Sequence, residues 1–291
     1  MEPSHLRRIH ARLAPRLNGP DERFLVVSIE EQALFLCSGV AIIERFDAST
    51  SRFGTGSREN SLRTPLGLHR ICEKYGDGAP AGRVFRDRED TGEDWDHRQN
   101  GDNLILTRIL RLEGLEEGVN RGPGIDSYER YIYIHGTGRE DLVGTPLSHG
   151  CVCLRNQDVI RLYDSVGTGT LVHLDPPPLV VSGRACRSIH FTGIFGSGMS
   201  ALAQYLRWQG IPVSGSDRFH DSADTAALRR SLAGMGCDIA SQDGSGVTAD
   251  TDALCVSTAI EETNPDIAAA RKFGIPVVHR SDVLAAVIAA K

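Results

Sequence analysis

Three consecutive prolines, Pro176-Pro177-Pro178, divide the 291-residue sequence into two parts with different patterns. A proline triplet removes three backbone donors and stiffens the chain, so it ends a strand and separates domains. At roughly 100 to 200 residues per domain, this length also favours two domains. We predict an N-terminal extension over residues 1–22, a first domain over 23–175, a Pro-rich linker over 176–186 and a second domain over 187–291.

The first part contains short apolar runs that are typical of β-strands. Residues 23–36 are predicted to form a β-hairpin, because two apolar runs flank a polar Glu30-Glu31-Gln32. Asn156 is a candidate cap for a short helix that ends near Tyr163. The highly charged segment 76–103 is interpreted as a solvated loop or as a lid. Further strands are predicted over 68–71, 104–112, 129–135 and 169–174.

The second part alternates strands with helices, which indicates a parallel α/β domain. Helices are predicted over 199–209 and 266–273. The predicted strands lie at 188–191, 211–214, 253–256 and 275–278.

Composition excludes several classes of protein. A net charge of −6 and a pI near 5.9 argue against a nucleic-acid partner, because phosphate binding needs a basic surface. Residues 1–20 lack the apolar core of a signal peptide, and no run approaches the ~20 apolar residues of a membrane span, so a soluble cytoplasmic protein is expected. Seven scattered cysteines do not form a disulfide framework. Cys151 and Cys153 are spaced too closely for a usual zinc site, and we predict neither metal nor cofactor.

The stretch from Ser148 to Cys151 has the composition of an activated thiol site. His149 and Gly150 stand directly before Cys151, and a second histidine, His135, ends a predicted strand at a Gly136-Thr137 break. A free thiol, with a pKa of about 8.5, is only slightly ionised at neutral pH, so an adjacent imidazole is needed to activate it.

Four motifs in this part occur in the order found in the YkuD-type L,D-transpeptidase catalytic domain, which residues 23–174 resemble. They are Arg63-Thr64-Pro65-Leu66-Gly67, Gly118-Val119-Asn120-Arg121-Gly122, His135-Gly136-Thr137 and Ser148-His149-Gly150-Cys151-Val152. The resemblance implies a β-rich domain with short helices. It also implies that a cysteine attacks the carbonyl of an L-configured centre, that of diaminopimelate followed by D-Ala.

The same resemblance assigns roles to these residues. Cys151 would be the nucleophile and His135 its base, with the Gly136 carbonyl orienting the imidazole. His149 would line the pocket, and the backbone N–H groups of Gly150 and Cys151 would hold the oxyanion. The implied catalytic set is Cys151, His135, Gly136, His149, Ser148 and Gly150.

Cys153 departs from the family pattern, which usually has arginine two residues after the nucleophile. A thiol cannot reproduce the bidentate contact of arginine with a carboxylate. Arg155, with Asn156 beside it, or another basic residue is expected to bind substrate, or the substrate is held differently. An alternative is that Cys153 is a redox partner of Cys151, although cysteines in this arrangement on a strand bridge poorly.

The Gly-rich turn after the strand at 188–191 is a candidate phosphate-binding element. Such turns bring backbone N–H groups and a helix N-terminus against a diphosphate, and an acidic residue about twenty positions later reaches a ribose. Taken alone, the pattern predicts a dinucleotide site. The candidate nucleotide-binding residues are Gly193, Gly196, Ser197, Gly198, Ser216 and Asp217.

With Ser257-Thr258 and the segment 275–280, this turn resembles the N-terminal domain of the Mur ligases. The resemblance implies a Rossmann-like α/β domain that binds UDP-MurNAc. Phe195 stands where a small residue is usual and is expected to narrow the turn. Because no G-x-x-x-x-G-K-[ST] loop follows, ligase activity is not expected. The domain is interpreted as a nucleotide-sugar-binding module or as a scaffold.

The two resemblances point to one pathway. We expect a cytoplasmic L,D-carboxypeptidase that removes D-Ala from peptidoglycan stem peptides or muropeptides, with UDP-MurNAc as a further ligand. One alternative is a true L,D-transpeptidase, in which an amine replaces water as acceptor. The other is a non-catalytic sensor of UDP-MurNAc-peptides.

Overall fold

In the computed structural model, which describes residues 1–96 and 104–290, the chain divides into two units between Pro176 and Pro177. Each unit has its own hydrophobic core. Within the described ranges, no helix combines the length and apolar character needed to cross a membrane.

Over residues 1–96 and 104–176, the first unit is built on a ten-stranded sheet with two α-helices. The helices are α1 (Pro3–Leu13) and α2 (Asn156–Ser165). The strands are β1 (Arg23–Ser28), β2 (Ala33–Ser38), β3 (Ala41–Asp47), β4 (Gly67–Tyr75), β5 (Arg83–Arg86), β6 (Glu89–Asp94), β7 (Ile105–Gly114), β8 (Tyr133–Gly136), β9 (Val152–Leu154) and β10 (Leu171–Asp175).

The sheet has the order β3-β2-β1-β10-β4-β7-β5-β6, and β8 pairs with both β7 and β9. The predicted hairpin at 23–36 is confirmed: β1 and β2 are antiparallel, with Leu25 opposite Leu36. Only the β1–β10 and β8–β9 pairs among these strands are parallel.

Strand alternation places the two faces of β1 in different cores. Leu25 and Val27 join the cluster that includes α2, whereas Phe24 and Val26 join the cluster that includes α1. The segment predicted as an extension is therefore an integral layer of the unit. It was missed because Leu6, Ile9 and Leu13, spaced for one helix face, stand among many polar residues.

A buried charge cluster connects α1 to the end of β10. His5 Nε2 lies 2.8 Å from Asp175 Oδ2, and His173 Nε2 lies 3.5 Å from Asp175 Oδ1. Although burial acts to raise it, the hydrogen bonds from His173 and His5 hold the pKa of Asp175 far below its usual range.

The charged segment 76–103 is not a simple loop as predicted. It contains the β5–β6 hairpin, while residues 97–103 lie outside the described residues. The buried Val84 and Phe85 pair with β7, and β6 is the last strand of the sheet among the described residues. A charge-rich outer strand carries no apolar alternation, so the sequence pattern did not reveal it.

The described residues of the second unit, 177–290, form seven strands and four α-helices. The helices are α3 (Ser197–Trp208), α4 (Ala226–Gly234), α5 (Pro265–Phe273) and α6 (Arg280–Ala289). The strands are β11 (Leu179–Val181), β12 (Arg184–Cys186), β13 (Ile189–Thr192), β14 (Val213–Asp217), β15 (Asp238–Ser241), β16 (Ala253–Val256) and β17 (Val277–His279).

Five of these strands form a parallel sheet in the order β15-β14-β13-β16-β17. The alternation of strands and helices predicted this parallel α/β arrangement. Numbered within the sheet, the order is 3-2-1-4-5, as in the first five strands of doubly wound nucleotide-binding folds.

The predicted linker at 176–186 is a second difference. There the structure has the antiparallel β11–β12 hairpin, and Leu179, Val181 and Cys186 are buried in one cluster with Val283 of α6. Two strands of three residues are too short to give a period-2 signal, and the prolines before them suggested a spacer instead.

Asp266 is the polar centre of the second unit and carries a stability prediction. Its fully buried carboxylate accepts hydrogen bonds from Thr192 Oγ1 at 3.0 Å, from Ser216 Oγ and from the Gly244 amide at 3.0 Å. We expect Asp266→Ala to lower the free energy of unfolding by about 3 kcal/mol, because several buried donors lose a charged acceptor.

Chemical denaturation followed by Trp208 fluorescence in a Trp95→Phe background measures this loss, since the sequence has two tryptophans. Asp238→Ala, at an exposed position, is the matched control and should change little. Equal stability of the two variants would contradict the role given to Asp266.

Candidate active site

A cavity of about 450 Å³ lies where β8 and β9 run side by side. The tip of the β5–β6 hairpin lines it with Asp87 and Arg88. The other lining residues that matter here are Tyr131, Tyr133, His135, Ser148, His149, Cys151 and Cys153. Most of the residues predicted for the thiol site therefore share one cavity.

The parallel pairing of β8 and β9 sets the geometry of this cavity. Ile134 lies opposite Val152 and both enter the core, so the alternate pair, His135 opposite Cys153, faces the cavity. Apolar residues on one face of two short strands thus hold a histidine and a thiol side by side.

His135 is buried and fixed in orientation. Its Nδ1 lies 2.8 Å from the Gly136 carbonyl and donates to it, which is the contact that the resemblance implied. Nε2 is then the unprotonated nitrogen. Burial lowers the pKa of His135 to about 4, so the ring is neutral at neutral pH and can accept a proton.

Two thiols line the cavity, and they occupy different positions. Cys153 Sγ lies 3.8 Å from His135 Nε2, whereas Cys151 Sγ lies 3.5 Å from the Tyr131 carbonyl oxygen. The expected contact of Cys151 with its base is thus made by Cys153 in this structure. Cys153 is only 3% exposed, while Cys151 is partly exposed.

Both thiols are protonated at neutral pH in this environment. Burial raises the pKa of Cys151 to about 11, against the opposing effects of a backbone hydrogen bond from Tyr133 and the charge of Arg130. Burial and the neighbouring Cys151 raise the pKa of Cys153 still further. Either thiol would need to give up its proton as it reacts, and His135 is the acceptor at hand.

The turn before Cys151 is held by the side chain of Ser148. Ser148 Oγ donates to the Cys151 carbonyl at 2.6 Å and accepts the Gly150 N–H at 3.1 Å. Gly150 has φ of 129°, and a Cβ there would lie 3.3 Å from the Arg63 carbonyl. The Gly150 amide predicted for the oxyanion is therefore already used within the turn, and Ser148 positions the loop.

Each of the two upstream motifs supplies one side chain that donates hydrogen bonds to backbone carbonyls. Thr64 Oγ1 donates to the Gly150 carbonyl at 3.0 Å. Asn120 Nδ2 donates to the carbonyls of Leu66 and Leu68 at 2.9 and 3.0 Å. Thr64 therefore holds the turn before Cys151 directly, whereas Asn120 holds the chain at the start of β4.

His149 lines the cavity mouth. Its ring stacks on Phe53 with centroids 5.7 Å apart, and its Nε2 accepts a hydrogen bond from Arg52 Nη2 at 2.7 Å. This nitrogen is therefore bound by an arginine, whereas Nε2 of His135 faces the thiol of Cys153.

The predicted substrate-binding residues lie elsewhere. Arg155 pairs with Asp47 at 2.9 Å and does not line the cavity, because the chain turns into α2 directly after β9. Asn156, which is the first residue of α2 and not its cap, is buried: its Oδ1 accepts from Thr107 Oγ1 at 2.6 Å and its Nδ2 donates to Glu140 at 2.7 Å.

Thr107 occupies a strained position behind the site. It is fully buried at a bulge of β7, and its φ of 74° is unusual for a β-branched residue. Its hydroxyl accepts the Gly82 amide at 2.9 Å and holds Asn156. These contacts fix the chain behind Gly136.

The sequence did not predict that Asp87 and Arg88 of the hairpin tip, or Tyr131 and Tyr133, line the cavity. Arg88 Nη1 donates to Tyr133 OH at 3.2 Å, and its guanidinium lies 5.4 Å from the Tyr131 ring centre. The many charged residues around Arg88 indicated a solvent-exposed segment. Nothing in the sequence pattern indicated that β5 pairs with β7.

The predicted nucleotide site in the second unit is only partly assembled as expected. The turn 193–198 leads into α3, and the Gly193 amide donates to the Ser216 carbonyl at 2.8 Å. Ser216 Oγ, however, donates to buried Asp266. Asp217 accepts the Phe195 amide at 3.0 Å and the Phe219 amide at 2.9 Å. The Asp217 side chain therefore holds the turn, and the Ser216 side chain is directed to Asp266.

The outer surface of this turn is formed by Gly196, Ser197 and Gly198, the last beside an arginine. A Cβ at Gly198 would overlap the Nη1 of Arg280. The Phe195 ring packs against the hydrophobic core, so it does not narrow the turn as expected. Over residues 1–96 and 104–290, no group of three or more His, Cys, Asp or Glu side chains is placed to hold a metal ion.

Comparison with known proteins finds two family matches. Residues 22–174 match the L,D-transpeptidase catalytic domain, and residues 188–291 match the Mur ligase family, catalytic domain. Curated relatives include UDP-N-acetylmuramate–L-alanine ligases. That of Paenarthrobacter aurescens is 41% identical over 101 residues, 35% of this chain and 21% of the relative. That of Streptomyces coelicolor is 44% identical over 99 residues, which are 34% of this chain and 21% of the relative. The chain thus spans about a fifth of their length.

Similar solved structures belong to both groups. An L,D-transpeptidase from Mycobacterium smegmatis is 16% identical, with a TM-score of 0.33, over 53% of this chain and 58% of its own. The UDP-N-acetylmuramate-alanine ligase of Thermotoga maritima is 28% identical, with a TM-score of 0.31, over 35% of this chain and 23% of its own.

Proposed function

The chain belongs to the family of the L,D-transpeptidase catalytic domain, whose match covers more than half of it, and on this premise we propose that it is an L,D-carboxypeptidase. Its substrate would be a peptidoglycan stem peptide, cleaved between diaminopimelate and D-Ala. The observation that carries the proposal is one cavity that holds a partly exposed thiol, Cys151, and a neutral imidazole, His135, whose Nδ1 is fixed by the Gly136 carbonyl.

In the proposed reaction, Nε2 of His135 takes the proton of Cys151 as Sγ attacks the carbonyl carbon of the L-centre. The C–N bond then breaks, the imidazolium gives its proton to the leaving D-Ala nitrogen, and a thioester remains on Cys151. Water attacks the thioester, His135 takes a proton from that water, and the thiol leaves with it. Attack requires the Cys151 side chain to leave the Tyr131 carbonyl and to approach Nε2 of His135, which the thiol of Cys153 contacts in this structure.

Cys151 is preferred over Cys153 as the nucleophile because substrate must reach it. Cys153 lines the cavity and contacts the base but is only 3% exposed, so a peptide carbonyl has little access to its sulfur. Its raised pKa keeps it a neutral thiol beside the imidazole, where it does not compete as a thiolate.

The second unit suggests which form of the substrate is used. The curated relatives are named for a ligase that acts on UDP-N-acetylmuramate, a soluble nucleotide-linked precursor. We propose that the turn 193–198 binds the diphosphate of such a precursor and that the enzyme acts in the cytoplasm. A soluble precursor presents a single stem with no neighbouring stem as acceptor, which favours water in the second step.

The test is incubation with tetrapeptide, free or UDP-N-acetylmuramate-linked, with and without excess D-Met, followed by mass spectrometry. Tripeptide as the main product supports the carboxypeptidase. Tetrapeptide that ends in D-Met would instead identify a transpeptidase. No product from the wild-type protein under either condition would overturn the enzymatic proposal and favour a binding protein.

Arg280 provides a separate test of the second unit. Its guanidinium lies at Gly198, where the first amides of α3 form a positive helix end. We expect Arg280→Ala to weaken UDP-N-acetylmuramate binding roughly tenfold or more, measured by calorimetry, because a charge-assisted contact is lost. Arg271→Ala, at the exposed end of α5, is the control. Absence of binding by the wild-type protein would leave this unit a scaffold.

A further inference from the structure

We infer that Arg88, at the tip of the β5–β6 hairpin, binds the terminal carboxylate of the residue that leaves and so makes a free C-terminus a requirement for cleavage. The inference rests on the proposed function, because it assigns a partner to one end of the proposed substrate. It concerns a residue that contacts substrate without taking part in bond exchange.

The first support is position and charge. Arg88 lines the same cavity as Cys151 and His135, and no other arginine or lysine is among the described lining residues. Asp87 is the one carboxylate in the described part of this lining, and Arg88 is its one permanently charged cation, so a ligand carboxylate in the cavity would have Arg88 as its charged partner. In a C-terminal D-Ala, the carboxylate carbon lies two bonds beyond the scissile nitrogen. A carboxylate there must therefore be accommodated within the same small space as the thiol.

The second support is the state of the guanidinium. Arg88 donates one N–H to Tyr133 OH at 3.2 Å and lies 5.4 Å from the Tyr131 ring centre. These contacts orient the group but leave most of its five donors for a ligand. Across the part of the chain that the structure describes, no carboxylate is paired with Arg88, and a planar guanidinium suits a carboxylate by two parallel hydrogen bonds.

Nearby arginines are engaged differently. Arg111 Nη1 pairs with Glu73 at 2.9 Å, and Arg155 pairs with Asp47 at 2.9 Å. Arg130 donates to the carbonyls of Gly56 and Arg63. All three contribute to the structure of the unit, and none of them lines the cavity.

The third support is the backbone of the tip. Arg86 pairs with Glu89, so Asp87 and Arg88 form a two-residue loop, with φ values of 49° and 73°. Such loops strongly favour Asn or Gly, since other residues adopt this conformation at a cost in free energy. A bulky arginine in this position is a local exception that a ligand contact would explain.

The experiment compares a tetrapeptide that ends in D-Ala with the same peptide carrying a C-terminal amide. Both peptides are used without the UDP-N-acetylmuramate group. For the wild-type protein we expect amidation to lower kcat/KM by roughly tenfold to a hundredfold, the range of a lost charged hydrogen-bond pair. Arg88→Gln should lose a similar factor on the free acid and little on the amide. Arg88→Lys should be intermediate because it keeps the charge but not the fork.

Arg86→Gln is the matched control, because Arg86 belongs to the same hairpin and its ion pair with Glu93 at 3.8 Å is exposed. It should keep the wild-type preference for the free acid. If Arg88→Gln keeps that preference too, the inference is wrong whatever the rate of turnover.

Calorimetry in a Cys151→Ala background separates this inference from the proposed function, because it requires no turnover. There, tetrapeptide should bind roughly tenfold or more tightly than its amide, and Arg88→Gln should abolish the difference. Discrimination in binding without any cleavage by the wild-type protein would overturn the function and support the role of Arg88. Cleavage of acid and amide at equal rates would do the reverse.

Discussion

Replacing Cys151 with alanine is expected to abolish release of D-Ala, with kcat falling roughly 10³-fold or more. The thiol forms the bond that replaces the scissile amide, so its loss removes the covalent route, and nucleophile deletions in comparable enzymes have effects of this order. The thioester provides a direct readout, because intact mass spectrometry of the wild-type protein with substrate should show one acyl group on the chain. The Cys151→Ala protein should show none.

Cys153→Ala is the matched comparison for this prediction. Cys153 Sγ touches His135 Nε2, so its removal should change the rate by a small factor while acylation persists. The opposite outcome, an active Cys151→Ala protein and an inactive Cys153→Ala protein, would transfer the nucleophile's role to the buried thiol. The structure makes this comparison necessary, because the contact with the base and the access to substrate belong to different cysteines.

Replacing His135 with asparagine is expected to lower kcat by roughly 10²- to 10⁴-fold, the usual contribution of a positioned general base. The pKa of the Cys151 thiol is raised to about 11, so without a base almost none of it is ionised at neutral pH. His149→Asn is the control and should cost much less, because Nε2 of His149 is occupied by Arg52.

The pH profile of the wild-type protein is the second measurement for this prediction. Because the pKa of His135 is lowered to about 4, the base is neutral and competent above that pH, and activity should be lost as pH falls through it. The thiol stays protonated until its pKa of about 11, so kcat/KM should be nearly flat between about pH 5 and 10. A limb near the ordinary histidine value of about 6.5 would contradict His135 as the base.

The elements that could be predicted from sequence are those with a strong apolar period. The β1–β2 hairpin and four of the five parallel strands of the second unit, all except β15, contain short apolar runs, and their partners lie close in sequence or repeat regularly. The helix α1 and the hairpins β5–β6 and β11–β12 were missed because each offers two or three buried residues among polar ones. The elements β15, α4 and α6 were missed too, since each buries at most two residues. Their burial depends on tertiary contacts that a local pattern does not encode.

The same distinction applies to the candidate site. His135 and Cys151 could be predicted to share a cavity because motif spacing and strand ends indicate it. The direction in which each side chain points could not be predicted from the sequence. Arg155 and Asp217 have suitable chemistry, but one pairs with Asp47 and the other accepts amides of its own turn. Arg88 reaches the cavity through a strand pairing distant in sequence.

The hydrogen-bonded cluster of His5, His173 and Asp175 has a practical consequence for isolating the first unit. The family match begins at residue 22, but the cluster fastens residue 5 to the final strand of the unit. A fragment trimmed to the match would lose α1 and uncover Phe24 and Phe35, a contiguous apolar face of the kind that drives association. A fragment that keeps this apolar face covered therefore begins at α1. Its N-terminal helix contacts its last strand, so the two ends of the fragment lie close enough for insertion into another protein.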